Sequence, residues 1–184
     1  MADIVVLNAG SSKGSEDWNC EQMEELGEVI CHETNHGPGH HSSFALVDGT
    51  PVAGISGPPA GASFTMNFYL RPLMMKFLGR SPEPERIPVR LAAPFPSKHH
   101  GSKAKEAPKV SGEVRPSIVA PGATFYGIKF LTVEALPDGT LQGTPLPGRP
   151  GSPEAEPANA YYMLPDGPGI EAPAVGDVIW VEMR

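Results

Sequence analysis

The sequence predicts an α/β module over residues 1–80 followed by a small all-β domain over residues 85–184. Three observations carry this. Ile4 to Leu7 is a short apolar run without alternation, as in a strand buried on both faces of a parallel sheet. It feeds a Gly/Ser-rich turn, Asn8-Ala9-Gly10-Ser11-Ser12-Lys13-Gly14-Ser15-Glu16-Asp17, at the carboxyl end of that strand, where open α/β sheets bind ligands. From Ile87 onward the character changes to short apolar runs punctuated by Pro and Gly, the pattern of a small β-barrel or sandwich.

Taken in order, Trp18 to Leu26 reads as a short helix with Asp17 as N-cap, Glu21 in the first turn and Gly27 as the stop. Glu28 to His32 and Phe44 to Val47 read as strands, and Asp48-Gly49 signals a hairpin between Phe44–Val47 and Val52–Ile55. Ser56-Gly57-Pro58-Pro59 breaks the chain, and Ala60 to Leu78 returns to helix. Phe64, Phe68, Tyr69, Leu73 and Phe77 form its stripe. The opposite face is also apolar, which predicts a largely buried helix, and Pro72 should kink or split it. Gly79 to Pro84 is a linker. Ile87–Leu91, Val114–Val119, Ile128–Ala135, Thr140–Thr144, Tyr161–Leu164 and Val178–Glu182 are the strands expected beyond it. His99 to Lys109 is a polar, basic loop.

Composition sets the outer bounds. Gly 21 and Pro 22 among 184 residues are nearly twice the usual share, so helix should be a minority. The 40% hydrophobic content still permits a core. A formal charge of −7 disfavours general binding to nucleic acid or anionic membrane. The longest apolar stretch, Phe64 to Leu78, is interrupted by Asn67, Arg71, Pro72 and Lys76 and is too short and polar to span a bilayer. Cys20 and Cys31 lack metal-type spacing and read as reduced thiols of a cytoplasmic protein.

Two local motifs point elsewhere. Val6-Leu7-Asn8-Ala9-Gly10-Ser11-Ser12 resembles the phosphate-loop strand of acetate kinases, but nothing downstream supplies their remaining motifs. His32-Glu33-Thr34-Asn35-His36 fits the H-E-x-x-H pattern, which in zinc peptidases puts two imidazoles on one helix face with the Glu as base. Here a strand precedes it, Gly37-Pro38-Gly39 stops any helix after it, and Ser42 stands where a third ligand would be. A zinc hydrolase is therefore the third reading of the chain, and His32 and His36 are not expected to chelate zinc together on a helix.

A third match is collinear over the first 80 residues. Asn8 to Asp17 is followed by Leu26-Gly27-Glu28-Val29, Gly37-Pro38-Gly39-His40-His41, Gly49-Thr50-Pro51-Val52, Ser56-Gly57-Pro58-Pro59 and Phe64-Thr65-Met66-Asn67-Phe68-Tyr69-Leu70-Arg71-Pro72-Leu73. In order and spacing this resembles part of the molybdopterin-binding domain of the molybdopterin molybdenumtransferases, the MoeA and gephyrin E-domain family. That domain runs S-G-G-V-S-x-G-x-x-D, L-G-E-V, K-P-G-K-P, G-K-P-V, P-G-N-P and F-x-x-F-V-R-P-A-L. Ala158 to Gly167 and Val175-Gly176-Asp177-Val178 look like the end of the family's C-terminal β-barrel domain. The resemblance implies a partial three-layer α/β/α domain followed by a small barrel. It also implies a role in molybdenum cofactor biosynthesis, inserting molybdate into adenylylated molybdopterin.

Its implied site is a phosphate cradle of Gly10, Ser11, Ser12 and Gly14, with Asp17 as the catalytic acid that carries magnesium. Gly57 and Pro59 would lie beside the pterin, and His40 stands where the family has a phosphate-binding lysine. Lys13 could add charge. A neutral imidazole is a weaker anion partner than that lysine, though a nearby phosphate favours its protonation. The family's two loop lysines are Gly37 and His40 here, and the P-G-N-P turn has lost its first Pro and its Asn. The chain begins midway through the family's binding domain, as a fragment or a short relative would. These departures leave open a non-catalytic pterin-binding or assembly module with a degenerate site. The family dimerises, so a homodimer is expected, with no nucleic-acid or membrane partner.

Overall fold

The computed structural model describes residues 2–8, 19–96, 124–167 and 169–184. Its first unit is a four-stranded mixed sheet of β1 (Val5–Asn8), β2 (Glu28–His32), β4 (Ser43–Val47) and β5 (Thr50–Ile55) in the order β1-β5-β4-β2. β1 runs parallel to β5, and the other pairs are antiparallel. The hairpin at Asp48-Gly49 forms as the dipeptide predicts: both residues have positive φ, 48° and 74°, which matches the twist of the flanking strands. Helix α1 (Asn19–Leu26) buries Met23 against Ala45 and Val52. Alternation along β5 turns Ala53 and Ile55 the other way, where they meet Leu70.

The long helix is made of three pieces: α2 (Pro59–Thr65), a π-helical turn (Met66–Leu70) and α3 (Arg71–Phe77). Pro72 explains the division. It offers no N–H to the preceding turn, and the ladder widens there so that Arg71 N–H reaches Met66 O. The expectation of a largely buried helix needs correction. Phe64 and Leu70 are buried, but α3 buries no residue, and Phe77 and Leu78 are 56% and 64% exposed.

The second unit is a five-stranded barrel. β6 (Arg86–Leu91), β7 (Phe125–Ala135), β8 (Leu141–Pro145), β9 (Ala160–Asp166) and β10 (Val178–Met183) pair in the order β7-β8-β6-β10-β9, and β9 returns to β7. Val89, Leu91, Leu131, Ile179 and Val181 fill it. β9 and β10 meet only at Tyr161 and Ala160, opposite Glu182 and Met183. The expected strand Val114–Val119 and the loop His99–Lys109 lie outside the described residues.

A short strand pairing and an aromatic cluster join the units. The two-residue strand β3 (His36–Gly37) leaves the first unit and pairs in parallel with Tyr126 and Gly127 of β7, and Tyr126 N–H donates to Asn35 O at 2.8 Å. Beside it, Phe64 packs with Ile128, Phe130, Ala155 and Tyr161. No helix of the described residues is long and apolar enough to cross a membrane.

β1 is an edge of the described sheet. Ile4, Val5 and Leu7 pack inward, but Val6 is 43% exposed, so the expected double burial of this strand is not met within one chain. An apolar edge invites pairing. Light scattering at micromolar concentration should show association, and Val6→Lys should weaken it. A monomer unaffected by Val6→Lys would contradict this expectation.

Candidate functional site

Parallel strands β1 and β5 end side by side, with Asn8 in register with Ile55. Chain segments leaving such strand ends line the crevice that α/β sheets use for ligands. One of them is the turn Ser56-Gly57-Pro58 into α2, on which Gly57 and Pro59 are exposed. Pro59 opens the helix, where a missing N–H costs nothing. The other is the segment after Asn8. Gly10, Ser11, Ser12, Lys13, Gly14 and Asp17 all belong to it and lie outside the described residues.

The loop between β2 and β4 supplies a second wall. Glu33 N–H donates to Ser42 O at 2.9 Å and Thr34 N–H to His40 O at 2.8 Å, which closes residues 33–42 on themselves. Gly39 sits at φ 108°, a conformation that L side chains rarely adopt. A Cβ there would come within 3.0 Å of His36 Cε1 and 3.1 Å of Gly61 O, so the loop presses its backbone onto α2. Gly61 answers from the helix: its Cβ would lie 2.7 Å from Ser56 Oγ and 2.9 Å from Ser56 Cβ.

Hydroxyls lock the contact. Ser42 Oγ lies 2.8 Å from Gly39 O and 2.7 Å from Thr65 Oγ1, which in turn lies 3.0 Å from Gly61 O. Two protons serve three short contacts, so one hydroxyl divides its donation. A third turn comes from the barrel. A Cβ on Gly151, at φ 90°, would meet the Ala60 side chain at 3.8 Å, and Arg149 stands two residues away in the same turn.

Three of the predicted residues are described. His40 and the pair Gly57 and Pro59 lie on turns that touch through Gly39 and Gly61. His40 is half-buried, its ring 3.7 Å from that of His41 and edge-on to Phe125 at 6.5 Å. His41 Nδ1 approaches Glu33 Oε1 at 3.6 Å. Sequence reading missed Gly39, Gly61 and the 148–152 turn. The glycine of Ala60-Gly61-Ala62 inside a helical pattern was the available signal, since such a glycine often marks a close backbone approach.

The H-E-x-x-H segment has no helical form. His32 ends β2, Glu33 has φ 72°, and His36 belongs to β3. His36 is 1% exposed, with Nδ1 3.1 Å from Pro38 O. Among the described residues, no group of three His, Cys, Asp or Glu side chains could hold a metal ion. Both cysteines are free and buried.

Two hollows lie elsewhere. A groove of about 980 Å³ runs between β9 and β10, past Tyr162, Glu171 and Trp180. A cavity of about 320 Å³ lies under α3. Neither is lined by His40, Gly57 or Pro59.

Comparison with known proteins follows this geometry. No family model matches. A molybdopterin biosynthesis protein of Pyrococcus horikoshii, MoeA, superimposes on 98% of this chain with a TM-score of 0.61 at 19% identity. This chain has the MoeA fold. It fits a C-terminal portion of that fold and covers 37% of the Pyrococcus horikoshii chain. A molybdenum cofactor biosynthesis protein of Pyrococcus furiosus matches 99% of this chain, with a TM-score of 0.56 and 15% identity, over 49% of its own length. A curated protein of Methanocaldococcus jannaschii, provisionally assigned to molybdopterin biosynthesis, is 29% identical over 69 residues, 38% of this chain and 17% of the relative. The chain thus spans less than half the length of each of these proteins.

Two outcomes test the site's construction. Gly61→Ala should destabilise the fold by about 1–3 kcal/mol in urea titration, because the new methyl must displace Ser56; an unchanged midpoint would mean that the turn at Ser56 does not press on the helix. Burial holds the His36 imidazole below its ordinary pKa of 6.5, against the opposing Pro38 carbonyl, and His40 lowers it further. The unfolded chain then binds this proton more readily. Its contribution to stability is complete above about pH 6.5 and declines as the pH falls below that value. His36→Phe should flatten the loss of stability between about pH 7 and about pH 5.5, and equal losses in both proteins would contradict the assignment.

Proposed function

We propose that the chain acts in molybdenum cofactor biosynthesis and binds the phosphate and pterin of molybdopterin in the crevice at the ends of β1 and β5. One observation carries this reading: the collinear run of motifs from Asn8 to Leu73 coincides with a MoeA-like fold over 98% of the chain. The crevice fits such a ligand in kind. Three turns rich in Gly and Pro bring backbone close to one place, and the segment 10–17 starts from the same strand end. In this reading Gly10, Ser11, Ser12 and Gly14 cradle the phosphate through N–H groups and hydroxyls. Gly57 and Pro59 flank the pterin, and Asp17 is the acid that orients or activates. α1 and the long helix cover opposite faces of the sheet, as a partial α/β/α layering would.

Molybdate and the adenylylated pterin are substrates in this account. Magnesium would be held through Asp17, which lies outside the described residues, and the described residues offer no convergent set for it, so no step is assigned to the metal. The second reading, a pterin-binding or assembly module without full activity, is favoured by the replacement of the family's loop lysines by Gly37 and His40. Arg149, an exposed residue two positions before Gly151, is a candidate partner for the ligand's anion in either reading. A cytoplasmic homodimer is the setting proposed for either reading.

Isothermal titration of the full chain with molybdopterin and with its adenylate tests the reading. Weak saturable binding is expected, reduced at least about tenfold in Asp17→Asn and in Ser11→Ala, with little or no molybdenum insertion by this chain alone. Absence of binding, or binding indifferent to both substitutions, would overturn it. Efficient insertion by the purified chain would exclude the degenerate module.

A further inference from the structure

The last helix of the first unit is apolar where none of the described residues covers it. Met74, Phe77 and Leu78 stand three and four residues apart, so they share one face, and each is half exposed or close to it. Leu78 N–H donates to Met74 O at 3.0 Å, so the helical turn carries through to Gly79, whose φ of 65° ends it. Single surface hydrophobics are ordinary, but a contiguous group of large ones marks a docking surface. Charge frames this one. Arg71 precedes Met74 by one turn, Lys76 and Arg80 flank Phe77 and Leu78, and all three cations are exposed. From Pro59 to Pro82 the chain holds no Asp or Glu, a local reversal of sign in a chain of net charge −7.

A surface of the opposite kind lies across the sheet. The end of α1 and the start of β2 carry Glu25 and Glu28, both exposed, and no Lys or Arg occurs from Asn19 to Ile30. Leu26 ends α1 67% exposed, and Ile30, at the irregularity in β2, is 55% exposed. β2 is itself an edge of the described sheet. α1 packs on the face that carries Ala45 and Val52, whereas the long helix packs on the face that carries Ala53 and Ile55. The two patches therefore lie on opposite sides of one sheet, and a single copy cannot bring them together.

We propose that this chain associates head to tail, the basic apolar face of α3 in one copy seating on the acidic apolar corner of α1 and β2 in the next. Leu26 and Ile30 then meet Met74, Phe77 and Leu78, while Glu25 and Glu28 face Lys76 and Arg80. The apolar contact supplies affinity, and the opposite charges fix orientation and speed the encounter. A surface that pairs with a different surface leaves one of each kind unfilled in a pair, so copies add beyond two unless a ring closes. An anionic lipid surface would satisfy the α3 face as well, but only a second copy also covers Leu26 and Ile30. Val6 and the residues of the strand-end crevice belong to neither patch, so this association stands or falls apart from the β1 edge and from pterin binding.

Charge exchange tests it. Three proteins are compared by sedimentation velocity at tens of micromolar: the chain with Val6→Lys, which takes the β1 edge out of the comparison, and the same chain with either Lys76→Glu and Arg80→Glu or Glu25→Lys and Glu28→Lys. The four exchanged residues are exposed, and circular-dichroism melts check that the fold is kept. The Val6→Lys chain should associate, and less so at high salt, because exposed charges are screened. Each exchanged protein alone sets like charges together and should sediment as a monomer. Their equimolar mixture should associate again, since each presents the charge that the other's patches now require. A surface that pairs with itself cannot give this recovery. Phe77→Ser leaves every charge in place and should weaken the association at least about tenfold. A monomeric Val6→Lys chain, association that survives either exchange or Phe77→Ser, or no recovery on mixing would overturn the proposal. A monomer that instead co-sediments with vesicles of phosphatidylserine and phosphatidylcholine would overturn it too, and would assign the α3 face to a lipid surface.

Discussion

The pairing of His36–Gly37 with Tyr126–Gly127 is the constraint on which the arrangement of sites depends. It is two residues long, yet it takes the loop between β2 and β4 out of its own sheet and fastens it to the barrel. Everything on that loop is placed by it: Gly39 against Gly61, His40 beside Phe125, and the His36 ring between Phe68 and Tyr69. A ladder this short does not hold by hydrogen bonds alone, since each contributes about 1 kcal/mol net. The aromatic cluster of Phe64, Phe68, Phe130 and Tyr161 lies beside it and supplies the burial, with Phe64 and Tyr161 edge-on at 5.3 Å. Truncating a core Phe of this kind costs about 3–5 kcal/mol, so the cluster outweighs the ladder several-fold.

The same stitch explains why the two hollows of interest are separate. The loop 33–42 has two sides. One sets Gly39 against Gly61 of α2, the helix that follows β5. The other presents Asn35 and His36 to the cavity beneath α3 and the barrel strands. A single backbone excursion thus borders both, and the burial of His36 fixes its ring in the partition between them.

Much of the fold was legible because its determinants are local. Asp48-Gly49 dictates a hairpin through the positive φ of two adjacent residues, and the register of β4 with β5 follows from it. The barrel strands were visible as apolar runs between Pro and Gly, to within a few residues at their ends. What escaped was set by partners far along the chain. β3 has no sequence signature, since a two-residue strand has no period and its partner lies some ninety residues away. The exposure of α3 escaped because apolar periodicity reports a face and not what covers it. The widened helical turn escaped for a subtler reason: Pro72 announces a defect, but the sequence does not say whether the ladder kinks or widens. The turn at Gly57 and Pro59 was legible from its Gly and Pro residues, whereas Gly39 and Gly61 matter through a contact between loop and helix.

The central claim is that the strand ends of β1 and β5, walled by the loop 33–42 and the turn 148–152, are where molybdopterin binds. Amide chemical-shift mapping of the full chain during addition of molybdopterin tests that location directly. The account predicts that the largest shifts fall on Gly39, His40, Gly57, Ala60 and Gly151, with Trp180 and Tyr162 unmoved. Shifts concentrated instead along the groove between β9 and β10, with the glycines of the three turns unmoved, would contradict it.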